Sequence, residues 1–283
     1  MEKNTRAKGI TAALVSAVFL GVSPIFGKQA ILFGFSPLAI VTVRTGLAAL
    51  ALALIILFVN RKFFYIFPVG LIGCGIAGLI NGLGSILYYS ALARLDTSIA
   101  QLLYAFYPLF VGIWLFIDRQ PINRITLLRL GMALPGAYLL ISAAENKVDW
   151  IGAAMMVASA VLYALHLLVN QRILYEAPAQ TVTFYTLLAM TATVAIGYLI
   201  FDRTLPAAGT PWWPVVGLAL ITAFSRLSLF MGVKRLGGMQ TAIIGLSELI
   251  VTMVLARLWL GDNLTLVQWA GAFLIGASIV LVG

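Results

Sequence analysis

Residues 37–55 read PLAIVTVRTGLAALALALI, and residues 178–196 read PAQTVTFYTLLAMTATVAI. Aligned at an offset of 141 residues, these two stretches are identical at eight of nineteen positions. The same offset aligns Arg94-Leu95 with Arg235-Leu236. A match at one offset, found again far along the chain, indicates that the sequence contains two copies of one unit.

Shorter matches extend this relation toward the beginning of each copy. An offset of 143 aligns Gly9 with Gly152, and it aligns Ser16-Ala17-Val18 with Ser159-Ala160-Val161. Because the offset changes by only two residues over this distance, chance similarity between apolar segments is a poor explanation. The sequence therefore predicts a tandem duplication of about half the chain.

The composition indicates a membrane protein. Hydrophobic residues make up 62% of the chain and charged residues 10%, with a mean hydropathy of +1.06. A soluble domain carries roughly 25% charged residues. Apolar runs of about the 20 residues that cross a bilayer recur throughout. They predict an all-α protein with ten transmembrane spans, at 8–33, 36–59, 65–93, 96–117, 123–143, 149–171, 180–201, 211–235, 238–260 and 264–283.

The ten spans divide into two repeats of five, residues 8–143 and 149–283, which together form one domain. Since five crossings is an odd number, the second repeat is predicted to be inverted relative to the first. Inverted repeats are common in secondary transporters, where two halves exchange conformations around a central site. The alternative is that duplication merely enlarged a scaffold.

The net charge of +9 is interpreted as a topology signal rather than as a nucleic-acid surface. Alternate loops lie on one side of the membrane, and one side collects eleven of the 18 basic residues: Lys3, Arg6, Lys8, Arg61, Lys62, Arg119, Arg124, Arg129, Arg172, Lys234 and Arg235. The other side collects four. The positive-inside rule then predicts cytoplasmic termini and, for a prokaryotic-type cell, a multi-pass protein of the plasma (inner) membrane.

The main site candidates are four ionisable residues inside predicted spans: Arg44, His166, Arg226 and Glu248. A charge near the bilayer centre costs at least about 2.5–3.5 kcal/mol, so such residues usually face the protein interior or a wet cavity. They are candidates for contact with a substrate or a proton. Each also has a structural interpretation: Arg226 and Glu248 could neutralise each other, Arg44 could anchor backbone carbonyls, and His166 could be a hydrogen-bonded packing residue.

The duplication allows each candidate to be compared with its counterpart. Four aligned pairs differ in chemistry: Ser23/His166, Arg44/Tyr185, Ser85/Arg226 and Tyr107/Glu248. A site between the halves would therefore be asymmetric although its scaffold is symmetric. Pro24 and Pro108 lie inside spans, where proline leaves a carbonyl unpaired and opens a helix beside a cavity. They are predicted to act with Ser23 as kink or gating positions.

A polar and aromatic face runs along the third span and continues in the fourth. Asn81, Ser85 and Tyr88 have the spacing of one helix face, and Tyr104 and Tyr107 follow. Tyr88 and Tyr104 also fit the interfacial belt of tyrosines near span ends. Asn81 lies deeper and is the better cavity candidate.

Two further residues have simple interpretations. Lys28, near the end of the first span, is expected to extend to the membrane interface. The single cysteine, Cys74, excludes an intramolecular disulfide and is expected to pack in the core. Neither a metal nor a cofactor is predicted.

In its whole length the chain resembles the drug/metabolite transporter superfamily, in the ten-helix form with two EamA-type repeats. The resemblance is carried by Pro37 and Pro178 opening the second span of each copy, by the Arg44 position, and by two stretches, Leu246-Ser247-Glu248 and Leu258-Trp259-Leu260-Gly261-Asp262. Leu249 stands where that family usually has proline, and Asp262 where it usually has glutamate. These departures weaken any transfer of substrate from better-known members.

The resemblance implies a carrier, commonly an exporter, of amino acids, amines or similar small metabolites, operating without ATP. Arg44 or Arg226 would bind a carboxylate and Glu248 an ammonium group. The alternatives are a proton-coupled multidrug or amine exporter, a sugar-nucleotide or phosphate exchanger, and, less favoured, a lipid scramblase or a membrane protein that transports nothing.

No catalytic residue is predicted, because HExxH, Ser-His-Asp and Walker-type patterns are absent from the sequence. The expected partners are a small-molecule substrate, membrane lipids and, for the coupled alternative, protons. The protein is expected to be a monomer or a homodimer.

Overall fold

The computed structural model describes residues 2–120, 149–204, 206–260 and 265–280, together with positions 124, 127, 128, 131, 132, 135 and 139. Regular structure in this part of the chain is helical. We number eleven α-helices: α1 Glu2–Leu32, α2 Pro37–Val59, α3 Pro68–Arg94, α4 Thr97–Tyr104, α5 Tyr107–Ile117, α6 Trp150–Leu174, α7 Ala179–Phe201, α8 Trp213–Leu236, α9 Gly238–Gly245, α10 Ser247–Leu255 and α11 Leu266–Val280. A 3₁₀ turn at Arg61–Phe64 and a π-helical turn at Ala256–Leu260 complete the described elements.

Eight helical segments of the described chain are long and apolar enough to cross a membrane, which confirms an all-α multi-pass membrane protein. They correspond to the predicted spans 1–4 and 6–9. The tenth span is helical over Leu266–Val280, and the fifth, 123–143, lies largely outside the described residues. The total of ten spans and the inverted relation of the repeats remain predictions.

Helix starts follow from local sequence. Pro37 is the first residue of α2, where the side chain of the preceding Ser36 accepts a hydrogen bond from the Ala39 N–H at 3.2 Å. Pro178 stands at the equivalent place, immediately before α7. The prediction that these two prolines open the second span of each copy is confirmed.

The two copies pack against each other through two reciprocal pairs of helices. Helix α1 lies along α8, and α6 lies along α3, so the first helix of each copy contacts the third helix of the other. Gly9 allows the first contact, because a Cβ there would lie 2.9 Å from the Cβ of Arg235. Gly152 allows the second, because a Cβ there would lie 3.2 Å from the Cβ of Arg94. The repeated glycines of the sequence thus make equivalent contacts.

A pair of buried serines repeats this pattern with hydrogen bonds. The Ser16 hydroxyl donates to the Ser225 carbonyl at 3.0 Å, and the Ser159 hydroxyl donates to the Gly84 carbonyl at 2.7 Å. Ser16 aligns with Ser159, and Gly84 aligns with Ser225 at the offset of 141. The recurring glycines and serines therefore help to join the two halves.

The fourth span is interrupted, as Pro108 led us to expect. Helix α4 ends at Tyr104 and α5 begins at Tyr107. The ninth span is interrupted at the aligned place, between Gly245 and Ser247, although no proline occurs there. The first span, in contrast, stays helical through Pro24.

The two interruptions contact each other. The Tyr107 hydroxyl donates to the Ala242 carbonyl at 2.9 Å. The Leu246 N–H, which a continuous helix would direct at this carbonyl, donates instead to the Ile243 carbonyl at 3.2 Å. Tyr107 therefore takes the place of a missing helical donor, and Gly245 leaves room for its hydroxyl.

Lys28 has a more specific position than the predicted extension to the interface. Its ammonium donates to the Leu92 carbonyl at 2.9 Å and to the Leu95 carbonyl at 2.7 Å. These carbonyls end α3, where the helix dipole is negative and a cation is stabilising. The side chain thus ties α1 to the end of α3.

Candidate functional site

A small cavity lies where helices of both copies meet. Its volume is about 50 Å³. It is lined mainly by polar and aromatic side chains: Leu20, Ser23, Arg44, Asn81, Gly84, Ser85, Tyr88, Tyr89, Gln101, Tyr104, Ser159, Tyr163, Thr222, Ser225, Arg226 and Glu248. The lining comes from α1, α2, α3, α4, α6, α8 and α10, so seven helices place this polar pocket inside an apolar bundle.

Arg44 is held on three sides. Its Nη1 donates to the Thr222 hydroxyl at 3.0 Å and its Nη2 donates to the Ser85 hydroxyl at 3.3 Å. Its guanidinium carbon lies 4.8 Å from the centre of the Tyr89 ring, at a distance typical of a cation–π contact. These neutral contacts fix the side chain without neutralising its charge.

Arg226 also lines the cavity. Its Nη2 donates to the Asn81 side-chain oxygen at 3.4 Å, and its guanidinium carbon lies 5.3 Å from the centre of the Tyr163 ring. Asn81 in turn donates to the Met190 sulfur at 3.1 Å. Arg226, like Arg44, is positioned by neutral groups.

Glu248 lies in the first turn of α10, just after the interruption of the ninth span. The partly positive N-terminal end of a helix stabilises a carboxylate there. Only 2% of its surface is exposed. The ion pairs found within 4.0 Å among the described residues join Arg94 to Asp149 and Arg172 to Asp118, so Arg226 and Glu248 do not form one in this conformation.

Three buried polar atoms of the lining have no hydrogen-bond partner in the described structure: Arg44 Nε, Arg226 Nη1 and Glu248 Oε1. A buried polar group without a partner costs about 1–3 kcal/mol, and more when it is charged. Such groups are rare in folded proteins. Two guanidinium donors and one carboxylate acceptor at the same small cavity therefore form an arrangement suited to a ligand with both charge signs.

Aromatic rings also line the cavity. Tyr88 and Tyr104 have ring centres 5.0 Å apart, and Tyr104 lies 5.4 Å from Tyr163. The Tyr88 hydroxyl donates to the Gln101 side-chain oxygen at 2.9 Å. Tyr88 and Tyr104 thus line the cavity, as one of their two interpretations predicted.

Seven of the ten predicted substrate-binding residues line this cavity: Arg44, Asn81, Ser85, Tyr88, Tyr104, Arg226 and Glu248. Ser23 lines it as well, and Pro24 lacks the N–H that would pair with the carbonyl of the lining residue Leu20. Pro108 lies in the first turn of α5, away from the lining.

The other three predicted residues lie elsewhere. Tyr107 is directed to Ala242, as described above. Tyr185 donates from its hydroxyl to the Phe64 carbonyl at 2.6 Å, beyond the end of α2. His166 is fully buried behind Tyr163, its Nδ1 lies 3.4 Å from the Asn170 side-chain nitrogen, and its Nε2 has no partner among the described residues.

Sequence reasoning missed Thr222, Ser225, Ser159 and Tyr163. Thr222 precedes Arg226 by four residues, which places both on one helix face. It also aligns with Asn81 at the offset of 141. Both signals were present in the sequence and would have identified Thr222 as a neighbour of the charged residues.

The described residues contain no group of three or more His, Cys, Asp or Glu side chains that could hold a metal ion. Cys74 is buried in the core and does not line the cavity. The chemistry of the cavity is that of charged and aromatic side chains.

Comparison with known proteins gives consistent results. The model of the EamA-like transporter family matches residues 7–142 and 150–283. An uncharacterized transporter of Synechocystis is 28% identical over 74% of this chain and 64% of its own length, so the chain spans less than two thirds of that relative. An uncharacterized transporter of Archaeoglobus fulgidus is 24% identical over 69% of this chain and 70% of its own length.

A third relative and a solved structure agree with these. The uncharacterized transporter YcbK of Bacillus subtilis is 24% identical over 70% of this chain and 67% of its own length. A protein crystal structure superposes with a TM-score of 0.73 over 97% of this chain and 96% of that one, at 18% identity. That likeness concerns the fold alone.

Proposed function

The chain belongs to the EamA-like transporter family, and from that premise we propose that it is a secondary transporter of small amphoteric metabolites. The proposed cargo is an amino acid or a related compound, and the proposed direction is export. The cavity lined by Arg44, Arg226 and Glu248 is the proposed binding site.

The observation that carries this proposal is the set of three unpartnered polar atoms. A substrate carboxylate would accept hydrogen bonds from Arg44 Nε and Arg226 Nη1, and a substrate ammonium would donate to Glu248 Oε1. Charge-assisted hydrogen bonds of this kind contribute about 1.5–3 kcal/mol each. The tyrosines beside them would contact an apolar or aromatic side chain.

The size of the cavity requires a conformational change. Ligand pockets usually measure roughly 300–1,000 Å³, whereas this cavity measures about 50 Å³. The walls must therefore separate before a metabolite enters. The interrupted helices α4–α5 and α9–α10 are the proposed moving parts, because the Tyr107–Ala242 hydrogen bond holds them together in the present conformation.

The proposal includes alternating access between two inverted five-helix repeats, residues 8–143 and 149–283. Its support is the set of contacts that occur twice, once from each half: the Gly9 and Gly152 contacts and the Ser16 and Ser159 hydrogen bonds. Inverted repeats can move against each other around a site at their interface, which exposes that site alternately to the two sides. Cytoplasmic termini and a plasma-membrane location belong to the same proposal and rest on the loop charges.

A ligand-stability screen tests the binding step. Purified protein is heated with each member of a panel of amino acids, amines and organic anions, and its melting temperature is recorded. A ligand at 100 times its Kd stabilises the folded state by about 2.7 kcal/mol. We expect zwitterionic amino acids to raise the melting temperature of the wild type and of the exposed-site control Arg61→Gln, and to raise that of Arg44→Gln by a clearly smaller amount. Stabilisation by none of the panel would contradict the proposal.

A proton-coupled amine exporter is the second candidate, favoured by one observation. Glu248 is buried and lies outside ion-pair distance of Arg226 within the described chain. It is therefore available to exchange a proton for a cationic amine. Glu248→Gln discriminates between the amino acid carrier and the proton-coupled amine exporter. In the proton-coupled exporter it should abolish transport driven by a pH gradient. Facilitated amino acid exchange, which needs no proton, should instead persist in this variant with a weaker affinity.

A further inference from the structure

A second, open depression lies on the outer surface of the bundle, away from the central cavity. It follows the seam between the first half of α1 and the last half of α8, and its volume is about 470 Å³. Its lining is Ala7, Lys8, Thr11, Ala12, Val15, Ser228, Met231 and Arg235. We call it the α1–α8 groove.

The residues of the groove are ordered along its length. Lys8 and Arg235 stand together at one end, where the Arg235 Nη1 donates to the Lys8 carbonyl at 3.5 Å. Val15 and Ser228 lie seven residues further along their helices, at the other end. Seven residues of α-helix measure about 10 Å. The groove therefore has a basic head and a small-residue, apolar tail that runs into the predicted membrane span.

The equivalent seam of the other half lacks this basic end. Arg94 aligns with Arg235, and there its Nε lies 2.6 Å from the Asp149 carboxylate. Lys8 aligns with Ile151, an apolar residue. The ion pairs found among the described residues include neither Lys8 nor Arg235. One of two related seams thus carries two exposed cations that no described carboxylate neutralises.

We propose that the α1–α8 groove binds one anionic phospholipid of the surrounding bilayer. The lipid phosphate lies between the Lys8 ammonium and the Arg235 guanidinium, and one acyl chain lies along Ala12, Val15 and Met231. Charge complementarity selects the anionic headgroup, because clustered Lys and Arg near a membrane surface bind anionic lipid. The apolar tail of the groove distinguishes a lipid from a free phosphate, which would use only the basic head.

The proposal is independent of the cargo of the central cavity, because the groove and the cavity share no lining residue. A failure to find a transported substrate would leave it intact. Equally, loss of lipid binding would not refute the proposed transport site.

Native mass spectrometry of the full-length protein tests this inference. The protein is released from detergent micelles with increasing amounts of phosphatidylglycerol or phosphatidylcholine, and bound lipids are counted. Each basic residue near the surface contributes roughly fivefold to binding of an anionic lipid, so Lys8→Gln with Arg235→Gln should weaken the tightest phosphatidylglycerol site roughly 30-fold. Arg61→Gln with Lys62→Gln removes the same charge from an exposed turn and should leave that site unchanged.

Ser228→Phe fills the tail and keeps both cations, so it should also displace the lipid. Equal binding of phosphatidylglycerol and phosphatidylcholine by the wild type would overturn the proposal. So would equal loss in the two charge variants, or retention of the lipid by Ser228→Phe. If the double variant does not fold, Lys8→Gln alone gives the same test at a fivefold scale, since Lys8 is exposed.

Discussion

Replacing Gly245 with alanine tests the contact between the two interrupted helices. A Cβ at this position would overlap the Tyr107 hydroxyl oxygen, which donates to the Ala242 carbonyl at 2.9 Å. The hydroxyl would have to move, and the carbonyl would then lose the donor that replaces its helical partner. We expect Gly245→Ala to destabilise the present conformation although alanine favours helix.

The magnitude follows from three contributions. Loss of the hydrogen bond and the buried carbonyl left behind cost about 1–3 kcal/mol, and the added methyl group costs about 1–3 kcal/mol in packing. The higher helix propensity of alanine returns about 1 kcal/mol. Gly245→Ala should therefore lower the free energy of unfolding by about 1–5 kcal/mol, with about 3 kcal/mol as the central value.

Tyr107→Phe supplies the decisive comparison. It removes the hydroxyl, so the alanine methyl group has space, and Gly245→Ala should become neutral or slightly stabilising in that background. Unfolding by SDS titration in mixed micelles of the four proteins gives a double-mutant cycle, with an expected coupling of about 3 kcal/mol. Gly75→Ala is the control, because nothing lies within 4 Å of a Cβ there. Additive effects, within about 0.5 kcal/mol, would refute the reasoning.

Three further predictions concern charged residues. Arg44→Gln should weaken substrate binding about 10- to 150-fold, the value of one charge-assisted hydrogen bond. Arg44→Lys should weaken it less, and isothermal titration measures both affinities. Affinities of the two variants equal to that of the wild type would contradict the assignment. Glu248→Gln should remove binding of amines but retain binding of simple carboxylates, as competition with a labelled ligand would show. Hydrogen bonds from Arg94 and then from the Gly152 N–H hold the pKa of Asp149 below its usual range. Because this pKa is lowered in the folded protein, the ionised Asp149 stabilises the fold fully at neutral pH, and this contribution is lost as the pH falls below about 4. In that pH range the free energy of unfolding of Asp149→Asn should depend less on pH than that of the wild type.

The helices were predictable because their cause is local. Apolar runs of membrane length and the prolines at Pro37 and Pro178 are visible in any single segment. The tertiary pairing was not predictable in this way. The alignment of Gly9 with Gly152 showed that these positions are related, but not that each lies against the third helix of the other half. That contact depends on how the complete bundle packs.

The cavity was predicted in part by differences between the two copies. Arg44, Ser85, Arg226 and Glu248 differ from their counterparts and line it together. Tyr185 was selected by the same rule and lies elsewhere, since alignment with a cavity residue does not make a residue part of the cavity.

The interruption at Leu246 could not be predicted from a helix-breaking residue. It requires Gly245, the acidic Glu248 in the next turn, and a hydroxyl from Tyr107 on another span. Gly245 and Glu248 are weak signals alone, and Tyr107 lies 139 residues before Leu246 in the sequence. Only the folded chain brings the donor to the freed carbonyl.

Counterflow in proteoliposomes tests the central claim most directly, that this cavity carries a small amphoteric substrate across the membrane. Vesicles containing the full-length protein are loaded with one unlabelled amino acid and diluted into a trace of the same labelled compound. We predict transient accumulation of label by the wild type and by Arg61→Gln, and accumulation at least about tenfold slower by Arg44→Gln. Accumulation by Arg44→Gln at the wild-type rate, or no accumulation by the wild type for any amino acid, would contradict it.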